Sequence, residues 1–195
     1  MLDKSVPYFG LYMRRKAGAP LKSFPLPDGF KFVLYSDGDE SSWARIETSV
    51  LEFDHEFAAL MHYTENYMPH IDELRRRCLF IETDDGEKIA TATAWWFHVE
   101  GQRRSWLHWV AVDPRYQGLG LGKAIVSRVV KLMAELDGDA DFFLSTQTWS
   151  YKAIEIYKTH GFKPTAEKAL YKDPKNNYKK AMKTLKEIAA GKHLK

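Results

Sequence analysis

Hydrophobic and polar residues recur along the chain with the two spacings that distinguish strands from helices. Alternation over a few residues is typical of a half-buried strand, and apolar residues three and four positions apart are typical of one face of a helix. The patterns predict strands at residues 30–35, 78–83, 88–99, 104–112 and 142–146, and helices near residues 43–50, 54–68, 118–136 and 150–160. Residues 71–77 fit a further helical turn less clearly, and residues 162–165 and 169–171 are predicted to pair as a closing hairpin.

The two ends of the chain differ from the middle. Residues 1–29 are interrupted by prolines and glycines but contain several aromatic side chains, so we expect an extended N-terminal arm packed on the domain. Residues 172–195 are rich in lysine and contain a predicted helix near residues 176–190. We interpret this basic helix or tail as a solvated face in preference to a contact for RNA or an acidic partner.

A strand, a glycine-rich turn and a helix follow one another between residues 104 and 136. The dipeptide Asp113-Pro114 ends the apolar strand, and Gly118, Gly120 and Gly122 follow at alternate positions. The N–H groups at the start of a helix have no internal partners and lie at the positive end of the helix dipole, and glycines allow a phosphate to approach them. The unit therefore predicts a pyrophosphate site.

Two common phosphate loops do not fit this turn. A dinucleotide loop, G-x-G-x-x-G, would need a glycine where Lys123 stands. An ATP loop, G-x-x-x-x-G-K-[ST], would need a glycine at Gln117 and a hydroxyl at Ala124. A glycine-rich helix cap without a ligand is the remaining structural alternative.

The turn does resemble the acetyl-CoA loop Q/R-x-x-G-x-G/A of the GCN5-related N-acetyltransferase (GNAT) family, and residues 117–122 read Q-G-L-G-L-G. Residues 153–162 resemble the family's second motif, N-x-x-A-x-x-x-Y-x-x-x-G-F, with Ser150 where the family often has asparagine. The resemblance covers residues 30–171, which we interpret as an N-acetyltransferase domain. It implies an α/β fold with a mixed, mostly antiparallel central sheet flanked by helices.

The resemblance also implies acetyl-CoA as co-substrate and assigns the residues that would bind it. In the family the end of the central strand separates from its neighbour, which assigns the Val110 N–H to the acetyl oxygen and Val112 to the pantetheine arm. The pyrophosphate would lie on the turn. The cofactor-binding residues expected on this basis are Val110, Ala111, Val112, Gln117, Gly118, Leu119, Gly120, Leu121, Gly122, Lys123 and Ser150.

Two side chains are the main catalytic candidates. By resemblance Tyr157 faces the CoA sulfur, and a phenol is protonated at neutral pH and can donate to a thiolate. His108 precedes Val110 by one strand alternation and is a candidate base for the acceptor amine. A packing role is the alternative for both side chains. Weaker base candidates are Glu47, Glu52, Glu56 and Glu65, and Trp95, Trp96, Trp106, Trp109 and Trp149 either line an apolar acceptor pocket or belong to the core.

Composition limits the remaining possibilities. The 195 residues suit one domain, and a net charge of +3 gives no electrostatic case for nucleic acid. The single cysteine, Cys78, suits a reducing compartment, and we expect a cytoplasmic protein, monomeric or homodimeric, with no metal and no membrane contact. The function expected is acetyl transfer to the amine of a small molecule. The alternatives are a protein or peptide acetyltransferase and a non-catalytic acyl-CoA-binding module.

Overall fold

A computed structural model describes residues 2–167 and 175–191 of the chain. Its strands are β1 (Gly10–Arg15), β2 (Phe30–Leu34), β3 (Cys78–Thr83), β4 (Lys88–Val99), β5 (Gln102–Val112), β6 (Phe142–Gln147) and β7 (Lys163–Thr165). Its α-helices are α1 (Glu40–Ser49), α2 (Glu56–Asn66), α3 (Ile71–Arg77), α4 (Leu121–Asp137), α5 (Tyr151–Thr159) and α6 (Tyr178–Ala189).

The described strands form one sheet in the order β2-β3-β4-β5-β6-β1-β7. The pairing is antiparallel except between β5 and β6, so the predicted mixed and mostly antiparallel sheet is confirmed. Alternation along β3 sends Leu79 and Ile81 into one hydrophobic cluster with α4, and Cys78 and Phe80 into a second cluster with α1 and α2. Helices therefore cover both faces of the sheet.

The N-terminal arm expected for residues 1–29 contains a strand, β1, that the sequence pattern did not predict. This strand lies inside the sheet, pairing with β6 from Gly10 to Arg15 on one side and with β7 on the other. Leu11 and Met13 enter the main core, and Arg14 forms ion pairs with carboxylates beside β6 and β7. The sheet consequently extends beyond the domain boundary that we placed at residue 30.

Helix α6 confirms the helix expected near the C-terminus and also packs against the domain. The Asn177 N–H donates to the Gly10 carbonyl at 2.8 Å, and Ala181 and Leu185 are buried in the main core. The strand predicted at residues 162–165 is confirmed as β7, although it pairs with β1. Its expected partner at residues 169–171 lies outside the described residues.

Two irregularities in β5 open the sheet at the carboxyl end of this strand. Thr91 of β4 faces Ala111, whereas Thr93 faces His108, so β5 carries an extra residue at a bulge. Trp109, within the bulge, has φ +48°, which is unusual for a residue with a side chain. In the described part of the chain, β5 and β6 pair only at Ser105 with Phe142 and Trp106 with Phe143, so beyond these residues the two strands separate.

Candidate active site

The first cavity of the site, about 420 Å³, lies between the end of β5, the turn before α4, and α5. We call it the cofactor cavity. Of the residues expected to bind a cofactor, those that line it are Val110, Ala111, Val112, Gln117, Gly118, Gly120, Leu121, Gly122, Lys123 and Ser150. Leu119 is not among its lining residues and is 51% exposed.

The glycines of the turn have different roles. Gly118 and Gly120 have φ values of +88° and +84°, and a Cβ built on either would meet no atom within 4 Å. Helix α4 therefore begins at Leu121, after the expected start at residue 118, because residues with positive φ cannot belong to a right-handed helix. At Gly122 a Cβ would lie 3.0 Å from Cδ1 of Ile156, so this glycine permits close packing of α4 on α5.

The cofactor cavity has the features that a pyrophosphate needs. The N–H groups of Leu121 and Gly122 lie in the first turn of α4 and have no intrahelical acceptor. Lys123 and Lys152 also line the cavity and add positive charge. The side chain of Gln117 donates to the Val112 carbonyl at 2.9 Å and holds the turn against the end of β5. The turn and its surroundings thus fit a phosphate-bearing ligand.

A second cavity of about 580 Å³ lies on the other side of Tyr157, and we call it the acceptor cavity. Aromatic side chains form much of its wall: Tyr8, Tyr67, Trp95, Phe97 and Trp109. Its titratable and amide side chains are Glu47, Glu52, His62, Asn66, His108 and Gln147. Both cavities are lined by Glu52, Val110, Ser150, Ala153 and Tyr157, so they meet where β5 and β6 separate.

Tyr157 lies on the inward face of α5, one turn after the buried Ile154, and its side chain is only 7% exposed. Burial, together with the negative charges of Glu52 and Glu47, raises the pKa of Tyr157 above its usual value. The phenol therefore keeps its proton at neutral pH. No hydrogen bond occupies its hydroxyl among the described residues, which leaves the proton available to a ligand.

His108 faces the acceptor cavity, and its Nδ1 is hydrogen bonded to the Tyr67 hydroxyl. His108 is half-buried. Burial, with a smaller contribution from the nearby His62, lowers the pKa of His108 to about 3. The ring is consequently neutral at physiological pH and has little affinity for a proton.

Two carboxylates lie close to this junction. Glu47 is 1% exposed, and its Oε1 has no hydrogen-bond partner among the described residues. Burial and the neighbouring Glu52 raise the pKa of Glu47 well above its usual value. Glu52 lines both cavities, but unlike Glu47 it is exposed to solvent.

Several residues of the acceptor cavity were not singled out from the sequence, namely His62, Tyr67 and Gln147. Glu47 was only a weak candidate. Its burial could have been predicted, because it lies three to four residues from the apolar Trp43 and Val50, on the same face of the helix. Glu56 and Glu65 are exposed and lie outside the cavity lining. Among the tryptophans considered as pocket residues, Trp95 and Trp109 line the cavity, whereas Trp96, Trp106 and Trp149 do not.

Two further classes of site are absent from the residues that the structure describes. Within 2–167 and 175–191 there is no cluster of three or more histidine, cysteine, aspartate or glutamate side chains suited to a metal ion. Over the same residues, no helix is both long enough and apolar enough to cross a bilayer.

Comparisons with known proteins agree with the geometry. Residues 41–162 match the model of the acetyltransferase (GNAT) family. The chain is 32% identical over 65 residues to the thialysine N-epsilon-acetyltransferase of Sus scrofa, covering 33% of this chain and 38% of that protein. It is 25% identical over 167 residues to the mycothiol acetyltransferase of Beutenbergia cavernae, covering 80% of this chain and 52% of that protein.

A solved structure supports the same fold. The GCN5-related N-acetyltransferase from Sphaerobacter thermophilus superposes with a TM-score of 0.63 at 18% identity, covering 83% of this chain and 50% of that one. The chain thus spans about half or less of the length of these similar proteins. The family model alone matches well over half of the chain, from α1 to the end of α5. The chain therefore belongs to the GNAT acetyltransferase family.

Proposed function

We propose that this protein transfers an acetyl group from acetyl-CoA directly to the primary amine of a small molecule. The observation that carries the proposal is the meeting of the two cavities at Tyr157 and Val110. A ligand in the cofactor cavity and a ligand in the acceptor cavity would come into contact at this shared part of the two linings. Holding two reactants at one point removes much of the entropic cost of their reaction.

The residues around the cofactor cavity would hold acetyl-CoA, which supplies the acetyl group as a thioester. The N–H groups of Leu121 and Gly122 and the side chains of Lys123 and Lys152 would bind the pyrophosphate. The pantetheine arm would lie along the open edge of β5 near Val112, where the strand has no neighbour on the β6 side.

The Val110 N–H is the proposed donor to the acetyl oxygen. Val110 lies in the bulge and has no partner in the register between β4 and β5, and β6 does not pair there. We infer that its N–H is free to bind a ligand at the junction of the cavities. A fixed donor aimed at an oxygen that gains negative charge stabilises the transition state of acyl transfer.

Tyr157 is the proposed acid. When the C–S bond breaks, the departing thiolate needs a proton, and the Tyr157 hydroxyl lies at the junction with its proton retained by the raised pKa. His108 remains a candidate base because it lines the acceptor cavity. The low pKa of His108 limits its ability to hold a proton taken from an ammonium group.

The acceptor cavity favours a small amine with an apolar or aromatic portion. Its aromatic walls suit a ring or alkyl chain, while its carboxylates suit an ammonium group. Tyr8, from the segment before β1, contributes to the wall and narrows the space available to an extended peptide. Small-molecule acceptors also appear in the names of two similar proteins, the thialysine and mycothiol acetyltransferases.

A thiol-release screen tests the proposal. The protein is incubated with acetyl-CoA and a panel of primary amines and peptides, and free thiol and acetylated product are both measured. We expect amine-dependent thiol release with an equal amount of N-acetylated small molecule. Binding of CoA without thiol release for any acceptor would identify a binding module, and much faster acetylation of peptides than of every small amine would identify a protein acetyltransferase.

A further inference from the structure

We infer that Trp109 determines which amines this enzyme accepts, because its indole ring is the surface on which the apolar part of the acceptor packs. The inference rests on the proposed function and names the residue that would select its substrate. It also narrows the chemical class of the acceptor to a primary amine that carries an apolar ring a short distance from the nitrogen. Trp109 contacts the acceptor but takes no part in proton transfer.

The first argument is the backbone conformation of Trp109. In the described part of the chain, the residues with side chains that have a positive φ are Trp109, at +48°, Leu51 and Glu100. This conformation is costly for a residue with a Cβ, and it persists only where the surrounding structure imposes it. Such residues are concentrated at ligand sites, and Trp109 lines the acceptor cavity. Its conformation therefore points to a role in binding.

The second argument is the effect of this conformation on the strand. Successive side chains of a regular strand point to opposite faces of the sheet, but at the bulge His108 and Trp109 lie on the same face. The His108 ring is hydrogen bonded to Tyr67, at the end of α2. The Trp109 ring packs against His62 of α2, with 5.1 Å between the ring centroids. The next residue, Val110, packs against the main core on the other face, so the bulge turns one additional large side chain towards the acceptor cavity.

The third argument is the packing around the indole ring. Trp43 of α1 and Phe53 of the loop after α1 each lie 5.3 Å from it between ring centroids, Trp43 edge-on and Phe53 stacked. Neither of these supporting rings lines the acceptor cavity, whereas Trp109 does. Trp109 is half-buried, so it keeps some accessible surface although its neighbours hold it in place. A large aromatic ring that is already fixed loses little conformational entropy when a ligand packs on it.

The fourth argument is the position of Trp109 beside the proposed reaction centre. The Val110 nitrogen, whose N–H is the proposed donor to the acetyl oxygen, is bonded to the carbonyl carbon of Trp109. An acceptor whose nitrogen reaches the acetyl carbon therefore has its nearest substituents beside Trp109. An apolar ring on a short chain would bury area against the indole and add a favourable aromatic contact. A small linear amine would leave the indole without a partner.

The experiment compares Trp109→Gly and Trp109→Phe with the parent protein. Glycine adopts a positive φ without strain, so Trp109→Gly removes the ring and keeps the backbone conformation, whereas Trp109→Phe keeps an aromatic ring. The control is Trp96→Ala, because Trp96 is also a half-buried tryptophan of the sheet but lines neither cavity. The probes are 2-phenylethylamine, whose ring is joined to the amine by a short chain, and n-propylamine, which has no ring.

We expect the parent to prefer 2-phenylethylamine to n-propylamine by about tenfold or more in kcat/KM, as burial of an apolar ring would give. Trp109→Gly should lose most of this preference through a higher KM for 2-phenylethylamine, while its kcat/KM for n-propylamine stays within about threefold of the parent value. Trp109→Phe should keep most of the preference, and Trp96→Ala should keep all of it. The KM for acetyl-CoA should be the same in all four proteins.

Thermal unfolding shows whether each variant is folded. If Trp109→Gly is not, Trp109→Leu takes its place with the same expected loss of preference, since leucine refills the packed site without a ring. If the folded variant keeps the preference of the parent, or loses activity equally towards both amines, the inference is overturned while the proposed function stands. A parent that does not prefer 2-phenylethylamine also overturns the inference. If the parent acetylates no amine in a broad panel, the proposed function fails and the inference fails with it.

Discussion

Replacing Gly120 with valine tests whether the turn binds the cofactor. The effect on binding can be told apart from the effect of the substitution on the conformation of the turn. Gly120 lines the cofactor cavity and has φ +84°, and a Cβ built on it would meet no atom of the protein within 4 Å. The structural cost is therefore backbone strain of about 1–3 kcal/mol. For a chain of this size, each kcal/mol lowers Tm by about 2–4 °C, so the variant should still fold.

The loss of CoA binding should exceed this structural effect. The side chain would keep the pyrophosphate from the N–H groups of Leu121 and Gly122, and a hydrogen bond to a charged group contributes about 1.5–3 kcal/mol. Loss of two such bonds corresponds to a CoA affinity at least about 100-fold weaker, since 1.4 kcal/mol is about tenfold.

Calorimetric titration with CoA checks this prediction, with Gly86→Val as the matched control. Gly86 lies in the turn between β3 and β4, has φ +86° and is also surrounded by open space, but it lines neither cavity. We expect both variants to lose similar stability and only Gly120→Val to lose affinity. Unchanged CoA affinity in folded Gly120→Val would refute the assignment of the turn.

Three further predictions concern the junction. Tyr157→Phe keeps the ring and removes the donor, so kcat should fall about 100-fold while the Kd for CoA, measured by calorimetry, stays within a few-fold; a near-normal kcat would leave Tyr157 a packing role. His108→Gln should lower the rate but leave the shape of the rate profile unchanged between about pH 6 and 9, because the pKa of His108 is about 3; a lost limb near neutrality would contradict this. In the folded chain burial holds the pKa of Glu47 above its unfolded value, so the folded chain retains a proton that the unfolded chain releases as pH rises above about 4.3. The Tm of Glu47→Gln should therefore gain on that of the parent as the pH rises above this value, and parallel curves from thermal unfolding would contradict the burial argument.

The cofactor side of the site was predictable because its requirements are local. Each of its features is encoded by consecutive residues: the apolar strand, the positive φ at Gly120 and the helix start at Leu121. Tyr157 could be singled out from the sequence for the same reason, since its motif lies within one helix and the turn that follows it.

The acceptor side and the edge of the sheet depend on contacts between distant residues. Gly10 pairs with Gln147, and no local pattern in a segment that combines a glycine with two arginines indicates that partner. The left-handed conformation of Trp109 could not be predicted from the sequence either, because residues with side chains rarely adopt it. The helical spacing of Glu47 relative to apolar residues indicated that it would be buried. It could not indicate a position in the acceptor cavity, because five other elements form that cavity.

A crystal structure of the protein with CoA tests the central claim most directly. The account predicts the pyrophosphate within hydrogen-bonding distance of the Leu121 and Gly122 N–H groups, and the sulfur beside the Tyr157 hydroxyl at the opening of the acceptor cavity. CoA bound away from the turn, or bound there with its sulfur directed away from Tyr157, would contradict it.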